Sequence, residues 1–421
     1  MEHKVKSLLS FVSLVFLLFC KTLPANDLTP QEIAKKALDA TVLLVMKDAN
    51  GQILGFGSGF FLLPDYIATN YHVIEGATRG TAKLVGQGTA YTLDDFNAVD
   101  EKHDLAILHV PDANVRPLPL GNSDTVVVGD TCYVAGNPKG FLEGTFSQGI
   151  ISSIRFEGME KLLQLTAPIS SGSSGGPVLN NKGEVIGVSV AQIRDGQNLN
   201  FAIPSNFLDA MLRYENGNAK YEQGVYQSAI EYYDTSIQLN PSNVLAYIRC
   251  SFAKHELGQH TVARQDCYTA RKLISRRRIE IHLGIRNKNE RQLAYEISEI
   301  DDAIRLTPNN PIAHFWRGFL RNDVAQHETA VADCNTAIRL LPDFALAYEG
   351  RAAARSGLGR FSDAIKDYDT AIQLKPDYDL FYNNRATVKL NLGQYADAIK
   401  DYDAVIQLKP TFAFSCYEAG E

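Results

Sequence analysis

Two patterns of hydrophobic residues divide this chain of 421 residues. From residue 41 to about residue 205, short runs rich in Val, Ile, Phe and Tyr are broken by Gly, Asn, Asp and Pro, which is typical of many-stranded antiparallel barrels. A short helix is predicted just before them, within residues 26–40. After residue 205 the apolar positions recur with helical spacing. The pattern therefore predicts a multidomain fold, an all-β double barrel followed by an all-α region.

The helical region repeats with a period of 34 residues. Its apolar motifs close on a series of prolines: Pro241, Pro308, Pro342, Pro376 and Pro410. The last three intervals are each 34, and the first, 308 − 241 = 67, fits two periods less one residue. Ser275 then stands where a cryptic repeat would end. This is the period of tetratricopeptide (TPR) repeats, and it predicts about six of them within a domain over residues 208–421.

Small residues recur on the same lattice of positions. One position is alanine in five repeats and Glu296 in the sixth, and the alanines are Ala229, Ala263, Ala330, Ala364 and Ala398. Glycines mark the turn between paired helices at Gly224, Gly258, Gly359 and Gly393. We expect the alanines to let paired helices approach closely. The tail 411–421 is predicted to be a partial closing helix whose Phe412, Phe414 and Tyr417 cover the last repeat.

The first 25 residues have the pattern of a signal peptide. Lys4 and Lys6 precede an apolar run over residues 8–19, and small residues offer a cleavage site after Ala25. The run is too short to span a membrane comfortably. Two alternatives remain: Cys20 as a lipidation site, or an uncleaved membrane anchor. The predicted location is periplasmic or secreted, and any membrane association would go through this segment alone.

The stretch ISSGSSGGPVLNNKGEVIGVSV, residues 169–190, carries the candidate chemistry. Ser174 stands among glycines ahead of a predicted strand, an arrangement that presents a nucleophile. Gly172 lets the backbone turn tightly, so the amides of Gly172 and Ser174 can point at one developing oxyanion. The alternative for this stretch alone is a Ser/Gly surface loop. A catalytic serine also needs a base and an acid that orients the base.

Both groups occur upstream, in the order His, Asp, Ser. His72 follows an apolar strand that ends in Thr69 and Asn70, and Asp104 stands at the start of the apolar run 105–110. Alone, the histidine would be an ordinary polar residue and the aspartate a turn former. Together with Ser174 they predict a triad, because imidazole takes the serine proton and a carboxylate fixes the tautomer of the imidazole.

The chain resembles the HtrA (Deg) serine proteases, which have a trypsin-like domain. The segments that carry the resemblance are GSGFFLLPDYIATNYHVIEGA, HDLAILHV, GDTCYVAGNPKG, GIISSI, SSGSSGGPVLNNKGEVIGVSV and NFAIP. They lie within residues 41–205 of a predicted protease domain over residues 41–207. The resemblance implies His72 as general base, Asp104 as its orienting group and Ser174 as nucleophile. It also implies an oxyanion hole over residues 172–174, that is Gly172, Ser173 and Ser174, and a role in protein quality control.

The sequence departs from the usual HtrA pattern in two respects, and the resemblance also indicates where the specificity pocket lies. Ser173 replaces the Asn usual in the family and the Asp of digestive trypsins, so activation by a buried new amino terminus is not expected. No segment resembling a PDZ domain follows the protease. The resemblance places the specificity pocket at Ile169, Ser189, Val190 and Ala191. Because none of these carries a negative charge, we expect a small or medium aliphatic residue before the cleaved bond.

The net charge and the short sequence motifs limit the partners and cofactors that the sequence predicts. A net charge of −7 argues against nucleic acid as the main partner. HExxH, paired CxxC and Walker motifs do not occur, so no metal or nucleotide cofactor is predicted. A basic cluster interrupts this acidic chain at Arg271, Lys272, Arg276, Arg277, Arg278, Arg286, Lys288 and Arg291. Such a cluster is usually a solvated face, and the alternative is a site for an anionic partner or lipid.

The cysteines also allow two interpretations. Cys267 and Cys334 occupy a lattice position held elsewhere by tyrosine, which predicts small buried core residues. Cys250 and Cys267 are placed symmetrically about the turn between two helices, so in an oxidising compartment they could form a disulfide.

Two functional hypotheses follow from these observations. The first is an exported serine endopeptidase that acts on protein or peptide substrates, with a protein partner bound on the concave face of the TPR array. This hypothesis allows a homo-oligomer. The second is a catalytically silent protease-like domain on a binding scaffold. Asn218 fits a known clamp for carboxyl termini, but Tyr214 stands where that clamp has lysine, so the clamp is not predicted. No flexible linker separates the halves, so we expect the array to be held close to the protease.

Overall fold

The computed structural model describes residues 27–93, 98–137, 144–157, 160–169, 172–194, 197–282 and 290–409. The chain divides into two compact units, Met1–Met211 and Leu212–Glu421. The first unit is built mainly from β-strands and the second from α-helices. This confirms the predicted fold class, an all-β part followed by an all-α part.

Helix α1, Pro30–Ala40, opens the described part of the first unit. Its start is fixed by a capping box, in which the Thr29 hydroxyl accepts from the Glu32 amide and the Glu32 carboxylate accepts from the Thr29 amide at 2.9 Å. Ile33 and Ala37, on one face of the helix, are fully buried. The helix therefore packs on the unit through a narrow apolar stripe.

The first seven strands form one antiparallel sheet. They are β1 Thr41–Lys47, β2 Ile53–Leu63, β3 Tyr66–Thr69, β4 Arg79–Leu84, β5 Ala90–Leu93, β6 Ala98–Asp100 and β7 Leu105–His109. Their order across the sheet is β5-β4-β1-β2-β3-β7-β6. Helix α2, Tyr71–Ile74, follows β3, whose Thr69 lies opposite Ala106 of β7. The end of β3 and the start of β7 are therefore neighbours, although more than 30 residues separate His72 from Asp104 in the chain.

The remaining six strands form a closed barrel. They are β8 Thr131–Gly136, β9 Thr145–Glu157, β10 Glu160–Leu165, β11 Pro177–Leu179, β12 Val185–Arg194 and β13 Gln197–Pro204. Their order is β10-β13-β12-β11-β8-β9. A short 3₁₀ helix, Ser123–Thr125, lies before β8. The barrel core includes Val134, Ile151, Leu163 and Val178. The loop that carries Ser174 leads directly into β11.

The second unit is a run of helices. They are α3 Ser205–Glu222, α4 Tyr226–Leu239, α5 Val244–Glu256, α6 His260–His282, α7 Glu290–Leu306, α8 Pro311–Asp323, α9 His327–Leu340, α10 Ala345–Gly357, α11 Phe361–Leu374, α12 Asp379–Asn391 and α13 Tyr395–Leu408. We call α3, α5, α8, α10 and α12 the first helices of their repeats. Helix α3 directly follows β13, and the division between the units falls within it.

The residues that recur with the 34-residue period have the burial and the backbone conformation that the repeat pattern predicts. All five lattice alanines are fully buried. The four turn glycines have φ between 72° and 74°, the left-handed region that favours glycine. Ala325 takes the same conformation, with φ 60°, at the equivalent turn between α8 and α9. The turn geometry is therefore retained where the glycine is lost.

An arginine ladder joins the two helices of each of the last three repeats. Arg317, Arg351 and Arg385 on the first helices each bind an aspartate sixteen residues later. Each Nε lies 3.0 Å from Oδ2 of its partner, and the partners are Asp333, Asp367 and Asp401. The aspartates are at most 5% exposed. Because each guanidinium also donates through Nη2, the contacts are bidentate and fix the registry of paired helices.

The repeat boundary predicted at Ser275 is not a helix end. Ser275 lies inside α6, which continues to His282. Its hydroxyl donates back to the carbonyl of Arg271, as serine does inside a helix. This position has no proline to stop the helix, unlike its lattice equivalents. The first helix of the cryptic repeat is therefore not formed as a separate element before residue 282.

Helix α6 packs onto the first helices of the last three repeats. The Arg271 guanidinium binds the Glu349 carboxylate of α10, with Nε 3.1 Å from Oε1, and lies over the Phe319 ring of α8. Asn384 of α12 donates to the same carboxylate at 3.0 Å. Arg271 and Glu349 are 4% and 1% exposed. The prediction that the basic cluster is a solvated face is therefore wrong for Arg271. The side chains of residues 276–282 and 290–292, and all of residues 283–289, lie outside the described residues.

Helix α7 covers the first helices of repeats one and two in a similar way. Its Glu299 binds Arg249 of α5 at 2.9 Å and accepts from Tyr214 of α3 at 3.3 Å. Asn218 is buried and accepts a hydrogen bond from Tyr233 at 2.9 Å. Much of the face formed by the first helices is therefore covered by α6 and α7 of the same chain.

The predicted disulfide between Cys250 and Cys267 is not formed. Both cysteines are free and fully buried, as are Cys132 and Cys334. The Cys250 thiol contacts the Asp234 carboxylate at 3.4 Å, whereas Cys267 contacts Ser251 and Trp316. Burial raises the pKa of the Cys267 thiol to about 12, so it stays protonated. The alternative prediction, small buried core residues, is confirmed for Cys267 and Cys334.

The last helix exposes an apolar row. Tyr395, Ile399 and Ile406 of α13 are 66%, 59% and 44% exposed, whereas the equivalent residues of α11 are partly buried. The tail predicted to cover this row lies outside the described residues, as does the predicted signal peptide. Among the helices that the structure describes, none is long and apolar enough to cross a membrane.

Candidate active site

His72 is presented by the first turn that follows β3. Asn70, the last residue before α2, adopts extended backbone, and the chain then turns into the helix that contains His72. The His72 side chain is 45% exposed, which leaves part of the ring accessible to a substrate. Asn70 itself is fully buried. The imidazole therefore stands on an anchored backbone at the surface of the first sheet.

The Asp104 carboxylate binds His72 through both of its oxygens. Oδ2 lies 2.7 Å from Nδ1 of His72, and Oδ1 accepts from the His72 backbone amide at 2.8 Å. An ionised carboxylate only accepts hydrogen bonds, so the proton must be on Nδ1. That tautomer leaves Nε2 unprotonated and able to act as a base. The two contacts fix both the position and the tautomer of the ring.

Backbone contacts hold Asp104 in an unusual conformation. Its φ of 53° lies in the left-handed region, which aspartate tolerates better than most residues. The Asp104 carbonyl accepts from the Asn70 side chain at 2.9 Å, and its amide donates to the Glu101 carbonyl at 3.3 Å. Asn70 therefore links the segment before His72 to the residue that orients His72. This role of Asn70 was not recognised from the sequence, because it depends on the pairing of β3 with β7.

The Ser174 loop is pressed against the segment that leads to His72. Gly175 has φ 88°, and a Cβ added there would lie 2.1 Å from the Ser58 carbonyl oxygen and 2.4 Å from the Thr69 hydroxyl. Only glycine therefore fits at this position. The Ser58 amide donates to the Ser174 carbonyl at 2.8 Å. The closed barrel thus brings Ser174, which is 8% exposed, to the end of the first sheet that carries His72 and Asp104.

The predicted oxyanion residues lie on the same loop. Gly172 has φ 94°, as a tight glycine turn requires. Its carbonyl accepts from the Ser58 hydroxyl at 2.8 Å, and the Ser173 carbonyl accepts from the Ser189 hydroxyl at 2.8 Å. Residues 170 and 171 lie outside the described part of the loop. Ser58 is a residue that the sequence analysis missed; its place in the GFGSGF stretch, between two glycines, was the signal available.

The predicted pocket residues have different environments. Ile169 is partly buried and packs on the core of the closed barrel. Ser189 is fully buried, and its hydroxyl is committed to the Ser173 carbonyl. Val190 is 9% exposed, and the Ala191 side chain lies outside the described residues. All three described side chains are uncharged.

A second histidine–aspartate pair lies beside the first. His103 Nδ1 is 2.6 Å from Oδ2 of Asp100, and the His103 ring stacks on Phe207 at 4.0 Å between ring centroids. Burial acts to raise the pKa of Asp100, but His103 outweighs it and holds that pKa below its usual range. The His103 side chain is only 3% exposed. The pair therefore shapes the turn before Asp104 and is out of reach of a substrate.

No group of three or more possible metal ligands occurs among the residues that the structure describes. The groups that the candidate site itself offers are a carboxylate, an imidazole, a serine hydroxyl and backbone amides.

Both parts of the chain match known protein families. Residues 57–188 match the trypsin-like peptidase domain family. Residues 217–258 and 357–393 match a TPR repeat family, and residues 381–412 match a second tetratricopeptide repeat family.

Curated relatives match the first part of the chain. A putative serine protease HhoB of Synechocystis is 38% identical over 159 residues, covering 36% of this chain and 38% of the relative. A probable periplasmic serine endoprotease DegP-like of Chlamydia pneumoniae is 36% identical over 170 residues, covering 37% and 34%. Protease Do-like 5, chloroplastic, of Arabidopsis thaliana is 34% identical over 194 residues, covering 40% and 59%. The chain thus spans less than two thirds of the length of each of these relatives.

Among solved structures, the HtrA-type protease AlgW with tripeptide is 27% identical, with a TM-score of 0.40 and coverage of 45% of this chain and 63% of that one. These matches confirm the predicted resemblance to HtrA/Deg proteases by sequence. The first unit contains a trypsin-like peptidase domain. In this protein, that domain is followed by a C-terminal region of TPR repeats.

Proposed function

We propose that this chain is a serine endopeptidase in which His72, Asp104 and Ser174 form the catalytic triad. The observation that carries the proposal is the two-point contact between Asp104 and His72 beside the Ser174 loop. A carboxylate that binds both Nδ1 and the backbone amide of one histidine holds the ring in the tautomer that a general base needs. The exposure of the His72 ring leaves that base accessible.

The roles of the groups follow from this geometry. Nε2 of His72 would accept the proton of the Ser174 hydroxyl as its oxygen attacks the substrate carbonyl, and would return a proton to the leaving amine. Asp104 would stabilise the imidazolium formed in between. The amides of Gly172 and Ser174 would donate to the oxyanion. The uncharged side chains of Ile169 and Val190 favour an aliphatic residue before the cleaved bond.

Labelling by a fluorophosphonate probe tests this proposal, because the probe reacts only with an activated serine hydroxyl. The full chain should be labelled, and Ser174→Ala should not. Ser152→Ala is the matched control, since Ser152 lies in β9 and donates to the Gln164 carbonyl at 3.2 Å, away from the loop. Absence of labelling across buffers and assembly states would favour the alternative, a catalytically silent domain on a binding scaffold.

The TPR region is proposed to recruit protein substrates or partners. Where α6 and α7 cover the first helices, a partner cannot enter without displacing them. On α12 the same face stays open: Thr387 and Asn391 are exposed and Leu390 is 39% exposed. The face formed by the first helices is the concave face of the TPR array. We therefore propose that the protein partner binds this face at α12, in the last repeat.

A matched pair of leucine variants tests this site. Leu390→Asp should reduce cleavage of a recruited protein and leave hydrolysis of a short unstructured peptide unchanged. Leu374→Asp is the control, because Leu374 is similarly exposed, at 41%, but lies on the second helix α11. Equal effects of both substitutions would contradict a site on α12.

Export is proposed from the N-terminal segment and from the periplasmic assignment in the name of the Chlamydia relative. The mature chain is then expected to begin near Asn26. Sequencing of the amino terminus of the protein from a periplasmic or secreted fraction tests this, and recovery of the protein with an intact Met1 in the membrane fraction would favour the uncleaved anchor.

A further inference from the structure

Three consecutive carbonyls of the Ser174 loop are each held by a group from outside the loop. The Ser58 hydroxyl donates to the Gly172 carbonyl, the Ser189 hydroxyl donates to the Ser173 carbonyl, and the Ser58 amide donates to the Ser174 carbonyl. All three distances are 2.8 Å. Ser58 lies in β2 of the first sheet and Ser189 in β12 of the closed barrel. The loop is therefore fixed from both sides of the domain.

The direction of the Ser58 hydroxyl is determined by its neighbours. Its oxygen accepts the Asn137 amide hydrogen at 2.8 Å, so its single proton is free to be donated to the Gly172 carbonyl. Ser58 and Ser189 are both fully buried. Bulk water therefore cannot replace either hydroxyl without entering the domain interior. Loss of the Ser58 hydroxyl would remove a donor from the carbonyl of the half-buried Gly172, and loss of the Ser189 hydroxyl would leave the Ser173 carbonyl with the longer contact from the Gly176 amide, at 3.1 Å.

Holding a carbonyl also orients the amide that follows it. A peptide unit is planar and, in the trans form, its C=O and N–H point in opposite directions. The described chain contains no cis peptide bond. The Ser189 hydroxyl, at 2.8 Å, and the Gly176 amide, at 3.1 Å, both donate to the Ser173 carbonyl and together set the direction of the Ser174 N–H. The Ser58 hydroxyl acts less directly. By holding the Gly172 carbonyl it fixes the peptide between Gly172 and Ser173, which links the two proposed oxyanion donors and which Gly172, without a Cβ, does not restrict by itself.

We propose that Ser58 and Ser189 are positioning residues that preorganise the oxyanion hole. Neither touches the reacting atoms; each acts through one peptide unit of the loop. The proposal rests on the proposed protease function, because the Ser174 N–H is an oxyanion donor only if Ser174 is the nucleophile. It also gives Ser189 a role other than lining the specificity pocket.

The test compares Ser58→Ala and Ser189→Ala with the unaltered full chain. We expect kcat on a short peptide to fall on the order of 10- to 100-fold with KM nearly unchanged, since removal of an oxyanion donor outright costs about 100- to 1,000-fold. The inhibition constant of a peptide aldehyde, whose adduct places an oxyanion in the hole, should rise by the same factor. The affinity for a noncovalent peptide whose scissile amide is reduced to a methylene amine, and which therefore has no oxygen to place in the hole, should not change. Ser189→Thr, which keeps the hydroxyl, should restore most of the rate, and Ser152→Ala should have no effect.

The possible results distinguish a failure of the proposed protease function from a failure of the positioning roles of Ser58 and Ser189. If the unaltered chain is not labelled by the fluorophosphonate probe, the protease function itself fails. If it is labelled and active, and both alanine variants keep full kcat and full affinity for the aldehyde, the positioning roles are wrong and the function stands. A fall in kcat matched by an equal loss of binding of the reduced-amide peptide would also overturn the proposal, because it would indicate general damage to the domain.

Discussion

At the scale of single residues, two similar histidine–aspartate pairs have different uses. Asp104 and Asp100 each bind both Nδ1 and the backbone amide of a histidine. His72 is 45% exposed, whereas His103 is 3% exposed and stacked on Phe207. Only an exposed ring can exchange a proton with a substrate, so accessibility supports the proposal of His72, and not His103, as the general base.

Replacing Asp104 by asparagine should impair catalysis with little effect on folding. The amide would no longer stabilise the imidazolium or hold the proton on Nδ1 of His72. Loss of kcat/KM on the order of 1,000- to 10,000-fold is expected for a carboxylate in this role. Asp112→Asn is the matched control, since Asp112 is an exposed aspartate with a similarly positive φ of 59°. A fall of less than 10-fold on a peptide substrate would contradict the role of Asp104.

At the scale of secondary-structure elements, the helical unit is held by buried charges between helices that are distant in the chain. Arg271 of α6 and Glu349 of α10 are 78 positions apart, and Arg249 and Glu299 are 50 apart. A buried ion pair adds little net stability, but an unpaired buried charge is costly. Such pairs therefore select the packing in which α6 and α7 cover the first helices.

The Arg271–Glu349 pair allows a direct test of this packing. Arg271→Met or Glu349→Leu alone should lower the free energy of unfolding by about 3–5 kcal/mol, because each leaves a buried charge without its partner. The double variant should recover much of that loss. Urea unfolding of the four proteins gives the coupling free energy. Additive losses in the double variant would show that the two groups are not in contact.

A cluster on α3, α5 and α7 should make stability depend on pH. Burial, followed by the nearby charge of Glu299, raises the pKa of Glu215 to about 7, while Asn218 and Arg249 act in the opposite direction. In the unfolded chain this carboxyl releases its proton near pH 4.5. The folded state keeps the proton longer, so the contribution of Glu215 to stability is complete below about pH 4.5 and is lost as pH rises to about 7.

Glu215→Gln isolates this contribution, because glutamine cannot ionise. The difference in unfolding free energy between the two proteins should shift in favour of the variant from pH 4.5 to 7 and then stay level. Measuring urea unfolding of both proteins at several pH values checks this. A difference that does not change across that range would show that Glu215 titrates normally.

At the scale of the whole molecule, the two compact units suggest a division of tasks. The candidate active site lies entirely within Met1–Met211, and the repeats lie in Leu212–Glu421. A surface that binds a substrate raises its local concentration at a linked catalytic site. The repeats would then affect which proteins are cut and not the chemistry of cutting.

Ending the chain after about Met211 should therefore separate two activities. Hydrolysis of a small unstructured peptide should remain, whereas cleavage of an array-recruited protein should fall sharply. Circular dichroism should first establish that the shortened chain is folded, since the cut falls within α3. If the folded domain cleaves recruited and generic proteins as well as the full chain does, the repeats serve assembly or anchoring.

The sequence alone predicted the parts of this protein that have local signatures. The 34-residue period, the buried alanines and the left-handed turn glycines follow from spacing, because each repeat must solve the same packing problem. The order His, Asp, Ser and the glycines around Ser174 reflect chemistry that requires those residue types. The ranges matched to known families lie within the two predicted domains.

Other features were decided only by tertiary structure. Ser58 contacts Gly172 across 114 positions, and Arg271 contacts Glu349 across 78. No spacing rule predicts such pairs, since chain distance does not constrain which surfaces meet when sheets and helices pack. The same reason explains the errors: α6 runs past Ser275, Arg271 is buried, and Cys250 and Cys267 contact different neighbours. Local pattern determined the elements and the candidate chemistry, whereas long-range packing determined which buried groups hold them in place.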